Sequence, residues 1–300
     1  MDNTGYDAVR CEKPLFPVFG KSRFTAALSA LLFALLAVLA YLLIQTLAAV
    51  VFSSAMTVSS GTLDAEVLTK RTLGSVSLIS AVANAATVAL AVLYLYARQI
   101  KIKKGLGLYL PPPASIIPCI ILGVALNFFS DSAISLIPFP ESFYEQYNAI
   151  YSYLGAGNPV IEAISIVVAA PIAEELVFRR FAYGAMREKM PKIVAALISS
   201  LMFAVAHGNL LSLFFTFVLG MLLSVSYEVS GSIVVPIIIH ASFNASSYLV
   251  SYVLDQTGGR YYIVICAASL AVCAAAAFLA ARSFINKKKE EKQSADSDES

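Results

Sequence analysis

The sequence predicts an all-α, polytopic membrane protein. Hydrophobic residues make up 59% of its 300 residues and charged residues only 13%, whereas charged residues are about a quarter of an ordinary soluble domain. A helix needs about 20 apolar residues to cross the hydrocarbon core of a bilayer, and apolar runs of about this length recur along the chain. Because lipid offers no partner to backbone polar groups, we expect these runs to be helices. A net charge of +2 is too small to indicate a nucleic-acid partner.

The apolar runs divide the chain into eight predicted spans. They lie at about 24–52, 73–96, 114–137, 159–183, 192–206, 210–227, 232–253 and 261–281. The first run is too long for the core of a signal peptide, so we expect it to remain in the protein. Residues 1–23 form a predicted cytoplasmic segment, 24–283 the transmembrane domain, and the charged tail 284–300 a disordered cytoplasmic segment.

The basic residues predict the orientation of the bundle. With eight spans, all but Lys70, Arg71 and Arg260 of the 21 basic residues fall on the side that carries both termini. Lysine and arginine accumulate on the cytoplasmic side of membrane proteins. We therefore expect both termini to be cytoplasmic.

Two adjacent carboxylates, Glu174 and Glu175, stand near the end of the fourth apolar run. A charged side chain inside a bilayer costs at least about 2.5 kcal/mol, so such a pair needs compensation within the protein. The only two histidines of the chain, His207 and His240, also lie in apolar segments. We predict that these four residues and Arg179 converge in one polar cavity inside the bundle.

Helical spacing separates the roles of the two carboxylates. Residues four apart share a helix face, and an acid placed N-terminal to a base is the favourable order for an ion pair. Glu175 and Arg179 have this spacing and order. Adjacent residues point about 100° apart on a helix. The sequence therefore predicts that Arg179 neutralises Glu175 and that Glu174 stays free for chemistry.

Each histidine has a neighbour on its own helix face. Phe203 precedes His207 by four residues and is expected to pack against it. Asn244 follows His240 by four residues and is expected to form hydrogen bonds there.

Other interpretations of these residues remain open. An isolated intramembrane histidine or asparagine commonly hydrogen-bonds across helices, and the acidic pair could mark an interfacial helix end. A proton-coupled transporter could use glutamate and histidine as a relay. A non-catalytic binding or immunity protein would tolerate the loss of Glu174. A polar site is favoured because these residues fall in three separate apolar spans at helical spacing.

Three motifs of the chain resemble those of a known family. They are Glu174-Glu175-x-x-x-Arg179, Phe203-x-x-x-His207 and His240-x-x-x-Asn244. In this order they resemble the motifs of the CAAX-protease and bacteriocin-processing family of intramembrane proteases, which includes the type II CAAX prenyl endopeptidases. The resemblance covers about residues 160–250, which we take as the catalytic core. Arg180 departs from the pattern, because the family usually has glycine there.

The resemblance implies an intramembrane endopeptidase in which Glu174 is the general base that activates water. It implies that His207 helps to hold that water or a metal, and that His240 and Asn244 stand at the developing oxyanion. The remaining motif residues would support the site structurally: Glu175, Arg179 and Phe203.

Cofactor and substrate are less closely defined by the resemblance. His207, His240 and Glu174 would be the ligands if a zinc ion were bound, but the same residues can activate water without a metal. The expected partners are the lipid bilayer and a membrane-associated peptide or lipidated protein, prenylated or not, and no nucleic acid. The expected location is the plasma membrane of a prokaryote, with the protein as an integral multi-pass component.

Overall fold

The computed structural model describes residue 16 and residues 22–60, 65–145, 157–208, 211, 213–257 and 259–298. Helices account for the regular structure of these residues, and no strand occurs among them. Many large apolar side chains are exposed, including Leu36, Leu39 and Val51 of the first helix. Extensive exposed apolar surface marks contact with lipid or protein. The predicted class, an all-α multi-pass membrane protein, is confirmed.

Besides a short helical stretch at 141–145, nine helical elements follow one another in the described part of the chain. They are α1 (Arg23–Ser60), α2 (Ala65–Ala97), α3 (Ile102–Leu106), α4 (Pro113–Leu136), α5 (the run of segments from Pro159–Ala163 to Gly184–Arg187), α6 (Lys192–Ala206), α7 (Leu213–Ser230), α8 (Val234–Thr257) and α9 (Tyr262–Asp298).

Five of the described helices are long and apolar enough to cross a membrane: α1, α2, α4, α7 and α9. Helix α8 makes a sixth if its two parts, which meet at 44°, are counted together. Helix α6 has only 15 residues, and α5 carries the acidic pair. The eight spans and the cytoplasmic termini therefore stay predictions.

Helix α5 lies at the centre of the bundle, in contact with α1, α2, α6, α7 and α8. Its start is fixed by Asn158, whose side chain accepts hydrogen bonds from two backbone amides of the first turn, and by Pro159 at the first helical position. Two segments of α5, Ile164–Ala169 and Leu176–Tyr183, are π-helical. Such segments often occur at functional sites.

Helix α9 continues through most of the tail that the sequence predicted to be disordered. It extends to Asp298, and of the tail only residues 299–300 lie outside the described part of the chain. The composition allows this, since lysine, glutamate and glutamine are good helix formers. Lys287 and Glu291 also form a pair four residues apart, with their charged atoms 3.9 Å apart. The charged, small-residue-rich composition of the tail is therefore compatible with a helix as well as with disorder.

Candidate active site

The acidic pair lies in the α-helical segment Ala170–Glu175 at the middle of α5. Glu175 is completely buried, while Glu174 keeps 9% of its surface exposed. Because adjacent helical residues diverge by about 100°, the two carboxylates meet different partners.

Glu175 is the acceptor that links two helices. Arg179 Nη1 donates to Glu175 Oε1 at 3.0 Å, and both side chains are fully buried. His240 Nδ1 of α8 lies 2.9 Å from the same oxygen. The predicted ion pair is therefore present, and it also orients the imidazole of His240. The second guanidinium nitrogen of Arg179 donates to the carbonyl of Gly220 at 3.3 Å, which extends the cluster to α7.

Both histidines face Glu174 with the same ring nitrogen. His207 Nε2 lies 3.8 Å and His240 Nε2 3.7 Å from Glu174 Oε2. The other ring nitrogen of each histidine also has a partner. His207 Nδ1 lies 2.8 Å from the carbonyl of Phe203, and His240 Nδ1 is bonded to Glu175. A neutral imidazole that donates from Nδ1 has a lone pair on Nε2. Three acceptor atoms therefore converge on one small volume.

Phe203 packs between these polar groups. The centroid of its ring lies 4.5 Å from the ring centroid of His207 and 5.7 Å from that of His240, and both contacts are edge-to-face. The guanidinium of Arg179 stands 4.3 Å over the Phe203 ring, within cation–π distance. The predicted contact with His207 is present, and one phenylalanine shapes the surroundings of both histidines.

Asn244 has a different partner from the one that its spacing suggested. Its Nδ2 donates to the carbonyl of Ile166 at 2.9 Å, in a π-helical segment of α5. The Nδ1 partner of His240 is Glu175. Spacing on one helix could not reveal these partners, because both belong to α5.

Tyr41 is a member of the site that sequence reasoning missed. Its hydroxyl donates to Glu174 Oε1 at 3.3 Å, from helix α1 and 133 positions earlier in the chain. A tyrosine within an apolar run ordinarily indicates packing or a membrane interface. No motif spacing connects it to the acidic pair.

Arg180 fills the place where the resemblance led us to expect glycine. It is 1% exposed, and its guanidinium donates to the carbonyls of Gly105 and Lys104 at 2.6 and 2.9 Å. A third bond, of 2.7 Å, goes to the hydroxyl of Tyr227. The residue therefore attaches the short helix α3 to the bundle beside the site.

The site does not fit a bound zinc ion as its side chains stand. Zinc bonds of about 2.0–2.1 Å in a tetrahedral site place ligand atoms about 3.3 Å apart, less than the 3.7 and 3.8 Å between Glu174 Oε2 and the two imidazoles. Within the described part of the chain, no group of three or more His, Cys, Asp or Glu residues is arranged to hold a metal. We derive no catalytic step through a metal, and the choice between zinc and metal-free chemistry, which the sequence leaves open, is untested.

Comparison with known proteins locates the similarity in this part of the chain. Residues 156–246 match the family model described as Type II CAAX prenyl endopeptidase Rce1-like. The resemblance to the CAAX-protease family is confirmed. The matched segment contains α5 to the middle of α8, and hence all three motifs. Helix α1, with Tyr41, lies outside it.

A curated relative supports the same assignment. The chain is 35% identical over 86 residues to a Bacillus subtilis (strain 168) protein named "Putative membrane peptidase YdiL". The match covers 29% of this chain and 35% of that protein, so the chain spans about a third of the length of the relative it matches. No solved structure matches the chain.

Proposed function

We propose that the protein is an intramembrane endopeptidase that hydrolyses a peptide bond of a membrane-associated protein with water activated by Glu174. The observation that carries this proposal is the environment of Glu174 Oε2. This oxygen is buried and has no hydrogen-bond partner among the described residues. The two imidazole nitrogens face it at 3.7 and 3.8 Å. Buried polar atoms rarely remain unpaired, so the position suits a bound water.

A water molecule satisfies this geometry. Hydrogen bonds of about 2.8 Å to each of two atoms bridge a separation of 3.7 Å. Such a water donates one hydrogen to Glu174 Oε2 and the other to His207 or His240. Its own lone pair then points away from these acceptors, towards an incoming carbonyl carbon.

The proton and electron movements follow from this arrangement. Glu174 takes a proton from the water as the oxygen bonds to the carbonyl carbon, and the carbonyl π pair moves onto its oxygen. The second amide hydrogen of Asn244 is assigned to that oxyanion, and His240 would join it as a donor only with a proton on Nε2 as well as on Nδ1. Glu174 then returns the proton to the leaving nitrogen as the C–N bond breaks. The net reaction consumes one water.

The other motif residues hold this machinery in place. Glu175 fixes the ring of His240 through Nδ1, and Arg179 balances the charge of Glu175. Phe203 packs on both imidazoles. A site held within roughly 0.5 Å of its productive geometry needs such support.

The substrate is a membrane-associated peptide or lipidated protein that reaches the site from the bilayer or from the cytoplasmic face. The name of the matched family supports a prenylated substrate, and the name of the relative supports a membrane peptidase. The charge distribution supports a cytoplasmic opening, and the relative from Bacillus subtilis supports the plasma membrane of a prokaryote as the location.

The test uses purified protein in lipid vesicles and detection of cleaved products by mass. Wild type and Glu174→Ala are each incubated with a farnesylated C-terminal peptide and with a library of membrane-anchored peptides. We expect cleavage by the wild type alone, and its preference between the two sets identifies the substrate class. A strong chelator in parallel samples tests zinc dependence. Equal cleavage by Glu174→Ala contradicts the role of Glu174. No cleavage by folded wild type in either set contradicts the proposal and favours a binding or immunity role.

A further inference from the structure

The carboxylate of Glu174 has a hydrogen-bond donor on the oxygen that does not face the histidines. Tyr41 Oη donates to Glu174 Oε1 at 3.3 Å, and the tyrosine is buried. Tyr41 belongs to α1, outside the segment that matches the family. We propose that Tyr41 is a positioning residue that orients the Glu174 carboxylate so that Oε2 faces His207 and His240. This inference rests on the proposed function, because it assigns Tyr41 a part in the same reaction.

The need for such a donor follows from the torsion of the glutamate side chain. The last torsion of a glutamate is broad and nearly two-fold, so packing alone holds a carboxylate plane poorly. In this site a bond from Tyr41 to Oε1 selects one orientation. Oε2 then remains as the oxygen that can accept a proton from water.

Tyr41 is itself held firmly enough to impose that orientation. Its ring packs edge-to-face on Phe178 of α5, with centroids 6.0 Å apart. One turn further along α1, Gln45 donates to Asn84 of α2 at 2.9 Å. These contacts fix the rotation of α1 against α2 and α5, and therefore the place of the hydroxyl.

The length of the bond does not exclude a positioning role. Bonds between oxygen atoms are usually about 2.7–2.8 Å, and the 3.3 Å between Tyr41 and Glu174 is longer. Catalytic hydrogen bonds are often long without substrate and shorten when the reactive complex forms. We expect the bond to shorten when water and substrate occupy the site.

Tyr94 provides a matched control. Tyr41 and Tyr94 both lie in the wall of an apolar cavity of about 290 Å³ between α1, α2 and α5. The ring of Tyr94 packs edge-to-face on Phe181 at 5.8 Å. A change to phenylalanine removes one hydroxyl from a residue that lines the same cavity at either position, but of the two only Tyr41 donates to Glu174.

The first measurement is steady-state cleavage by vesicle-reconstituted wild type, Tyr41→Phe and Tyr94→Phe. Because the hydroxyl acts on the base and not on substrate binding, Tyr41→Phe should lower kcat about tenfold and leave KM within about twofold. Tyr94→Phe should stay within about twofold of wild type in both constants. Wild-type kcat in Tyr41→Phe, or an equal loss in both variants, would overturn the inference.

The second measurement does not depend on activity. Infrared difference spectra against Glu174→Gln identify the carboxylate bands of Glu174 in each protein. We expect these bands to move in Tyr41→Phe, since Oε1 loses its donor, and to stay in place in Tyr94→Phe. Unmoved bands in Tyr41→Phe reject the contact. If folded wild type cleaves nothing, the proposed function fails, and the infrared comparison still decides by itself whether Tyr41 holds Glu174.

Discussion

At the scale of single residues, the site depends on a buried charge cluster whose members have more than one partner each. Glu175 serves both Arg179 and His240 through one oxygen. Taking two charges out of water costs several kcal/mol per ion before their attraction compensates. Removal of one partner therefore leaves an uncompensated charge, whereas removal of both does not.

A double-mutant cycle tests this coupling. Glu175→Leu and Arg179→Met should each lower the free energy of unfolding by about 3–5 kcal/mol, because each strands a buried charge. The double variant should lose clearly less than the sum of the two. The free energy of unfolding of all four proteins is measured in mixed micelles that contain an increasing fraction of denaturing detergent.

The control cycle uses Lys287 and Glu291, which are 44% and 60% exposed with their charges 3.9 Å apart. Alanine substitutions there should show a coupling of less than about 0.5 kcal/mol. Additive losses at Glu175 and Arg179, like those of the surface pair, would show that the buried pair is not coupled.

The sequence could predict the contacts between residues of one helix better than those between helices. The pair Glu175–Arg179 and the packing of Phe203 on His207 follow from a spacing of four, and both are present. Tyr41 is 133 positions from Glu174, so its contact depends on how α1 packs against α5. Spacing on one helix cannot give that packing.

At the scale of elements, α5 and the short helix α3 form a unit beside the site. Arg180 reaches from α5 to the last carbonyls of α3 and to Tyr227 of α7. Helix C-terminal carbonyls lack partners within the helix, so a guanidinium donor satisfies them. Arg180, which departs from the glycine of the family pattern, therefore has a packing role in this structure.

The substitution Arg180→Met tests this role while it keeps an apolar stem. Because three hydrogen bonds to α3 and Tyr227 are lost, the hydrogen-bonded backbone amides of Gly105, Gly107 and Leu108 should exchange hydrogen at least about tenfold faster than in wild type. Hydrogen exchange followed by mass spectrometry gives the rates.

Lys189→Met removes the same charge from the turn after α5 and should leave exchange in α3 unchanged. If α3 keeps its protection in Arg180→Met, other contacts hold it and the assigned role of Arg180 is wrong.

Element ends were predicted unevenly, and the reasons are physical. Helix α6 has the predicted bounds, and α4 differs from its prediction by one residue at each end. Pro113 and Pro191 mark where these two helices start. Helix α1 ends at Ser60 and helix α2 begins at Ala65, both outside the predicted apolar runs. Hydropathy marks the part of a helix in lipid and not its polar extensions. The same reason applies to the tail of α9.

At the scale of the whole molecule, the predicted orientation places the site near the cytoplasmic face. The prediction depends on the positions of 21 basic residues and on an even number of spans. Labelling of single cysteines tests it, with the four native cysteines replaced. Ser294 in α9 and Glu141 after α4 are both exposed and suit the substitutions Ser294→Cys and Glu141→Cys.

A membrane-impermeant maleimide should label Glu141→Cys in intact cells and Ser294→Cys only after the membrane is opened. The two positions lie on opposite sides in the eight-span arrangement. Labelling of both from the same side would contradict that arrangement and the cytoplasmic position of the C-terminus.

The central claim is that Glu174 acts on water, and the most direct measurement is the single-turnover cleavage rate of Glu174→Gln beside wild type. Glutamine preserves the shape of the side chain and accepts the bond from Tyr41, but it cannot take a proton from water. We predict a loss of at least about 1000-fold in rate, within the range of general-base catalysis, with an unchanged unfolding midpoint. Cleavage by Glu174→Gln at the rate of the wild type would contradict the account.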